Sequence, residues 1–213
     1  MSQPQPRLYL ETPDQFDPEG FATALDAVLA TVPVACLRLT MAAQADEAEI
    51  TRAANHLITI CHDHDVPLVV TDHFRLVEPL GLDGVHLATS RTPMRDVRSA
   101  LGPDRIIGAY AGASRHQGMV LAEAGADYVA FGPVGDSGAL GDEGRAEDEL
   151  FAWWAEMIET PSVAEGALSL ADAERLAPIT DFAVPDPRLW SSAGDAAEAF
   201  NAFAAALPDL ESE

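Results

Sequence analysis

Eight short apolar runs, many of them β-branched, alternate strictly with Ala-rich stretches, and this alternation narrows the possible folds more than any other feature. The runs cover residues 7–10, 34–39, 67–71, 84–87, 105–110, 127–132, 162–165 and 181–184. Each is almost continuously hydrophobic, as expected of a parallel strand covered on both faces. Between them lie amphipathic stretches at 21–30, 46–64, 95–101, 116–124, 148–158, 170–176 and 195–207, with a weaker one near Leu76. Eight strand–helix pairs predict an α/β fold of the (β/α)8 TIM-barrel type, with ligand-binding loops at the carboxyl ends of the strands. The first strand runs into ETPD at 11–14 rather than a glycine-rich turn, which argues against a dinucleotide-binding open sheet. The 213 residues match one barrel of minimal size, since such barrels often take about 200 to 250 residues. We therefore expect one domain over 7–207, a disordered lead-in over 1–6 and an acidic tail over 208–213.

Local signals place several helix ends. Thr92 before Pro93 reads as a cap followed by proline at the first helical position. Ser114 with Gln117, and Ser169 with Asp172, have capping-box spacing, and Gly102 and Gly125 stand where helices stop. The segment 133–147 is the longest loop candidate, rich in glycine and acid.

Charge bounds the partners. Twelve Lys and Arg stand against 35 Asp and Glu, a formal net charge of −23. Such a surface disfavours nucleic acid and anionic membranes, and tolerates an anionic ligand only where cations are gathered locally. Cys36 and Cys61 form no disulfide framework and read as reduced thiols. No signal peptide or membrane span is evident, so a cytoplasmic location is expected. Nothing in the sequence sets an oligomeric state.

Three segments carry a resemblance: GLDGVHL at 81–87, LGPDRIIGAYAGAS at 101–114 and EAGADYVAFGPV at 123–134. In order and spacing they resemble the thiamine phosphate synthase family, which includes the thiazole tautomerases, and a weaker likeness extends over nearly the whole chain. The resemblance implies a phosphorylated ligand, a transferase of thiamin biosynthesis and Mg²⁺. Such a synthase joins an aminopyrimidine diphosphate to a thiazole phosphate and releases pyrophosphate. It implies catalytic roles for Arg38 (in CLRLT) and Asp72 (in Thr71-Asp72); the adjacent His73 joins them as an acid–base candidate by its place at a strand's carboxyl end. Substrate contacts fall on Arg38, Arg91, Tyr110, Gly132 and Gly166, and Asp72 is the implied metal ligand. Departures are specific. Cys36 and Thr40 replace the family's Gln and Lys, Arg91 replaces the second metal-binding Asp, and Gly112 stands at the tautomerase histidine. GDSGALGDEGR replaces a phosphate-holding Pro-Thr-x-Thr-Lys, Glu165 replaces the first of two glycines, and Pro185 and Pro187 follow the last strand.

A cation at a former metal position would repel Mg²⁺, and two prolines remove N–H donors from a phosphate site. Arg38 and Arg91 could form an anion pocket oriented by Asp72, or Arg91 could pair with Asp72 structurally. His62 and His64 fall at a helix end, where interaction with the helix dipole is expected rather than a metal. His86 reads as a hydrogen-bonded packing residue, and His73 as the better acid–base candidate. One of Trp153 and Trp154 should pack on the barrel. Glu11 and Glu165 end strands and read either as paired carboxylates for proton transfer or as solvated rim charges. The alternative to a synthase is a catalytically degenerate barrel that binds a small anion or a partner protein; another barrel enzyme with repurposed loops is a third reading.

Overall fold

The computed structural model describes residues 7–89, 92–134, 144–191 and 196–207. Its strands are β1 (Leu8–Glu11), β2 (Val34–Leu39), β3 (Leu68–Thr71), β4 (Gly84–Leu87), β5 (Ile106–Tyr110), β6 (Tyr128–Phe131), β7 (Ser162–Leu168) and β8 (Phe182–Pro185). The α-helices are α1 (Pro18–Leu29), α2 (Glu47–Asp63), α3 (Val77–Leu80), α4 (Met94–Leu101), α5 (Arg115–Glu123), α6 (Asp148–Met157), α7 (Leu170–Leu176) and α8 (Ala196–Ala206). Two short 3₁₀ turns, Phe74–Leu76 and Pro187–Ser191, precede α3 and α8. All eight strands pair in parallel and in chain order, and β8 returns to β1 to close the barrel. The alternation in the sequence thus translates directly into a (β/α)8 barrel. The expected lead-in and tail lie outside the described residues, as do 90–91 and 135–143.

Helix starts follow from short polar side chains. Asp17 accepts a hydrogen bond from Gly20 N–H at 2.8 Å, with Pro18 opening α1. Asp46 and Glu49 form a reciprocal capping box on α2. Ser169 and Asp172 do the same on α7, as their spacing predicts. Ser114 caps α5 by accepting the Gln117 N–H at 3.2 Å. One expectation shifts by a residue: Pro93, not Thr92, caps α4, because its ψ of 134° is extended and the helix begins at Met94. β7 also runs three residues past its expected end at Glu165, with an irregular register against β8 between Ala164 and Leu168.

The main apolar core lies between the strands and the helices, and a second, smaller cluster fills the barrel itself around Tyr9, Val69, Tyr128, Val163 and Val184. Trp154 is fully buried against Phe131, its indole N–H donating to the Thr160 carbonyl at 2.7 Å. Its neighbour Trp153 is half-buried beneath the Arg115 guanidinium, 5.2 Å from the ring centroid. At the floor of the barrel β1 and β8 share a single register pair, Leu8 with Ala183. There the buried Arg7 guanidinium donates to the carbonyls of Ala177, Thr180 and Asp181.

Candidate active site at the barrel mouth

Residues two apart on a strand share a face. Tyr9 and Glu11 on β1, Cys36 and Arg38 on β2, and Val163 and Glu165 on β7 therefore form successive layers inside the barrel, rising toward its carboxyl-terminal mouth.

The lower layer is neutral. The Tyr9 and Tyr128 hydroxyls lie 2.6 Å apart, and Tyr128 Oη is 3.0 Å from His86 Nδ1. Burial, with the nearby Arg38 charge, holds the His86 pKa well below its ordinary value, so the ring is uncharged at neutral pH. Burial likewise raises both tyrosine pKa values, and Cys36, in the same layer, is pushed up to about 12. His86 Nε2 is buried without a partner. A proton on Nδ1, donated to Tyr128, leaves only a bare lone pair at Nε2, which is the less costly tautomer. The expectation of a hydrogen-bonded packing histidine is met. Gly108 makes the layer possible: a Cβ there would stand 1.8 Å from Cζ of the Tyr128 ring.

The upper layer is ionic. Arg38 Nη2 lies 3.0 Å from Glu11 Oε2, Arg38 Nη1 lies 2.8 Å from Glu165 Oε2, and Nε is buried without a partner. The guanidinium also covers the Tyr9 ring at 5.7 Å. Burial opposes the charge, but Glu11 and Glu165 outweigh it and hold Arg38 protonated. Burial raises the Glu165 pKa; Arg38 pulls it down and Glu11 pushes it up, and the net shift is upward. Glu11 also accepts the Thr40 hydroxyl at 2.8 Å, and Thr40 Oγ1 is 3.1 Å from Thr71 Oγ1. Two expectations are corrected here. Glu165 is 4% exposed, so it is no solvated rim charge, and both carboxylates are tied to one arginine. Arg38 is held in place by Glu11 and Glu165 rather than by Asp72.

Asp72 follows β3 in the left-handed region, at φ 58°. Its Oδ1 accepts the N–H groups of Ala88 and Thr89 at 3.0 and 3.2 Å, tying β3 to the loop after β4. Arg91 lies outside the described residues, and with it both the anion pocket and the Arg91–Asp72 ion pair. Asp72 and His73 do share a cleft of about 440 Å³ with Met41, Ile50, Thr71 and Thr89. It adjoins the ionic layer through Thr71 rather than opening on Arg38. Tyr110, Gly132 and Gly166 come together on the other side: the Tyr110 hydroxyl donates to the Gly132 carbonyl at 2.7 Å. Gly166, at φ 112°, packs so tightly on Pro133 that a Cβ would lie 2.7 Å from its Cα.

The metal donors are sparse. His62 Nε2 meets Asp83 at 3.0 Å and His64 Nε2 meets Asp26 at 2.9 Å, so these histidines pair with carboxylates beyond their own helix. Among the described residues no group of three or more His, Cys, Asp or Glu could hold a metal ion. Asp72 is a single carboxylate with one oxygen already carrying two amides, and Arg91 follows β4 where a second ligand would be needed. Among the described residues Asp72 alone remains at the implied position, so a Mg²⁺ ion there would rely on substrate phosphate oxygens for further ligands.

Sequence reasoning missed Tyr9, Tyr128 and Thr40 as parts of the interior network. The signal was present in the parity of the strands, since Tyr9–Glu11 and Cys36–Arg38 place polar groups at alternate positions within apolar runs.

The family described as thiamine monophosphate synthase matches residues 8–182. A thiamine-phosphate synthase of Rhodospirillum centenum is 41% identical over 170 residues, covering 80% of this chain and 82% of that protein. One from Hyphomonas neptunium is 34% identical over 216 residues, covering 98% of each. Among solved structures, a thiamine phosphate pyrophosphorylase from Pyrococcus furiosus superposes with a TM-score of 0.81 at 19% identity, covering 94% of this chain and 95% of that one. A 3-hexulose-6-phosphate synthase from Salmonella typhimurium reaches 0.69 at 15% identity, covering 94% and 98%.

Proposed function

Because this chain belongs to the thiamine monophosphate synthase family, we propose that its barrel mouth joins an aminopyrimidine diphosphate to a thiazole phosphate. In that reaction the pyrimidine methylene carbon loses pyrophosphate, which departs with the C–O electron pair. The thiazole nitrogen then forms the new C–N bond with its lone pair. The observation that carries the reading is similarity across the barrel, reaching 98% of both chains in one relative, together with Arg38 and Asp72 at the carboxyl ends of adjacent strands. In this reading Arg38 faces the departing phosphates, Asp72 orients the β4 loop, and His73 is the acid in the cleft that would hand a proton to the departing pyrophosphate. Arg91, Tyr110, Gly132 and Gly166 border the substrates. Family members of this type use Mg²⁺, and among the described residues Asp72 is the implied ligand that remains, so an ion there would depend on substrate phosphates. The two buried free thiols, Cys36 and Cys61, agree with a cytoplasmic setting, and the net charge of −23 argues against nucleic acid as a partner. No helix among the described residues is long and apolar enough to cross a membrane.

One observation favours a second reading, a barrel that binds without turnover: the guanidinium of Arg38 is already committed to two carboxylates. Complementation of a strain lacking thiamine-phosphate synthase, with direct assay of thiamine phosphate from purified protein, separates the two. Growth and product formation by the wild type are expected. A folded, well-expressed protein that neither restores growth nor forms product would favour the binding module. Rescue only by Arg91→Asp would show that the metal position had been lost.

A further inference from the structure

We propose that Glu165 controls access to Arg38, so that an oxyanion binds at the barrel mouth only together with one proton. This rests on the reading of the mouth as a site for phosphorylated ligands, and it adds a selectivity residue that the family resemblance does not supply.

The argument begins with the nitrogens of Arg38. Nη1 is taken by Glu165, Nη2 by Glu11, and Nε lies buried with no partner. With both carboxylates ionised, the triad carries one net negative charge. An oxyanion that turns to the remaining N–H groups, Nε among them, therefore meets a triad whose charge repels it unless one carboxylate is neutralised or gives way. The two carboxylates are not equivalent. Glu11 keeps a second bond, from the Thr40 hydroxyl, and its side chain is 19% exposed, so water screens it. The Glu165 side chain is 6% exposed and accepts a hydrogen bond from Arg38. Deprived of Arg38 while still ionised, Glu165 would be a buried charge without compensation, which is costly. Protonation removes that cost.

The surroundings favour this step. Among the described residues the titratable groups that face Glu165 are Glu11 on β1, Arg38 on β2 and Tyr128 on β6, while β8 contributes Val184 to the barrel interior. Burial and Glu11 both favour the protonated acid, and Arg38 alone opposes it. A ligand that takes over Arg38 weakens that single opposing influence. The Glu165 pKa therefore rises on binding, a proton is taken from solvent onto the carboxylate, and by linkage the anion binds more tightly as pH falls.

The test is calorimetric titration with pyrophosphate, without metal, of the wild type, Glu165→Gln, Glu11→Gln and Arg38→Met across a pH series. Pyrophosphate itself titrates, so the informative quantity is the difference from Glu165→Gln. Wild-type affinity should fall up to about tenfold more per pH unit than that of Glu165→Gln, as one linked proton requires. Glu165→Gln should bind more tightly than the wild type at alkaline pH. Glu11→Gln should retain the steeper slope with its onset moved to lower pH, because one cause of the raised Glu165 pKa is gone. Arg38→Met should lose binding. A protonated-carboxyl C=O infrared band should grow when pyrophosphate is added to the wild type, and this readout stands even if Glu165→Gln does not fold. Parallel slopes, absence of the band, no binding by the wild type, or binding that survives Arg38→Met would each overturn the proposal. Thiamine phosphate formation with parallel slopes would sink this inference alone. Proton-linked binding without turnover would sink the synthase reading alone.

Discussion

Inside one barrel, the layer of Tyr9, Cys36, Tyr128 and His86 holds four ionisable side chains and no charge, while the layer directly above holds Arg38 between two carboxylates and remains ionic. Arg38 and Glu165 are sealed from water about as closely as the side chains below them, so burial alone does not explain the contrast. Proton affinity does. A histidine can shed its proton and two phenols can keep theirs, so the lower layer escapes the desolvation penalty by neutralising itself. An arginine cannot be deprotonated within a protein, so the upper layer must recruit counter-charges instead. The lower layer is therefore a fixed platform. The upper one, adjoining the mouth, is held by interactions that a charged ligand can compete for.

The sharpest way to break the comparison is Arg38→Met, which leaves Glu11 and Glu165 facing each other. Loss of one partner from a buried ion pair should cost about 3–5 kcal/mol near neutral pH. The deficit should shrink in acid, where the carboxylates are protonated. Urea denaturation at two pH values measures it, and a variant as stable as the wild type would mean the upper layer is not electrostatically built. Tyr128→Phe attacks the lower layer by orphaning both the Tyr9 hydroxyl and His86 Nδ1, at an expected cost of roughly 1–3 kcal/mol. That cost should not change between pH 7 and 8, since no group there titrates. The smallest effect is the acid limb of the wild-type stability curve. The His86 pKa is lower in the folded state than in the unfolded chain, so its contribution is complete above about pH 6.5 and declines as pH falls below it. The slope should be at most about 1.4 kcal/mol per pH unit for this one proton, and His86→Gln should flatten it.

Much of the architecture was legible in the order of residues. The runs at Val34–Leu39 and Gly84–Leu87 coincide with β2 and β4, because flanking turn residues bracket short apolar segments with nothing else to become. β7 was cut short because Gly166 reads as a loop residue, whereas its positive φ and the adjacent Ala167 at 54° bend the strand without ending it. The site was legible in its members more than in its contacts. Arg38, Asp72 and His73 stand at the mouth, but nothing local announces that Arg38 will meet a carboxylate 127 residues away. Strand parity sets which face a side chain takes; barrel closure and shear set which side chains meet across the interior, and those are properties of all eight strands together.

Arg7 has a last implication, for the way the ring is made. It waits about 170 residues for the carbonyls it holds, and the seam it fastens is the thinnest strand pairing in the barrel, a single register pair. On the ribosome, then, β1 remains an open edge until nearly the whole chain has emerged, and a product truncated before β8 would present that edge to its neighbours. Stalled or clipped chains should accordingly associate edge to edge, and the finished protein escapes that fate at the moment a single guanidinium is seated.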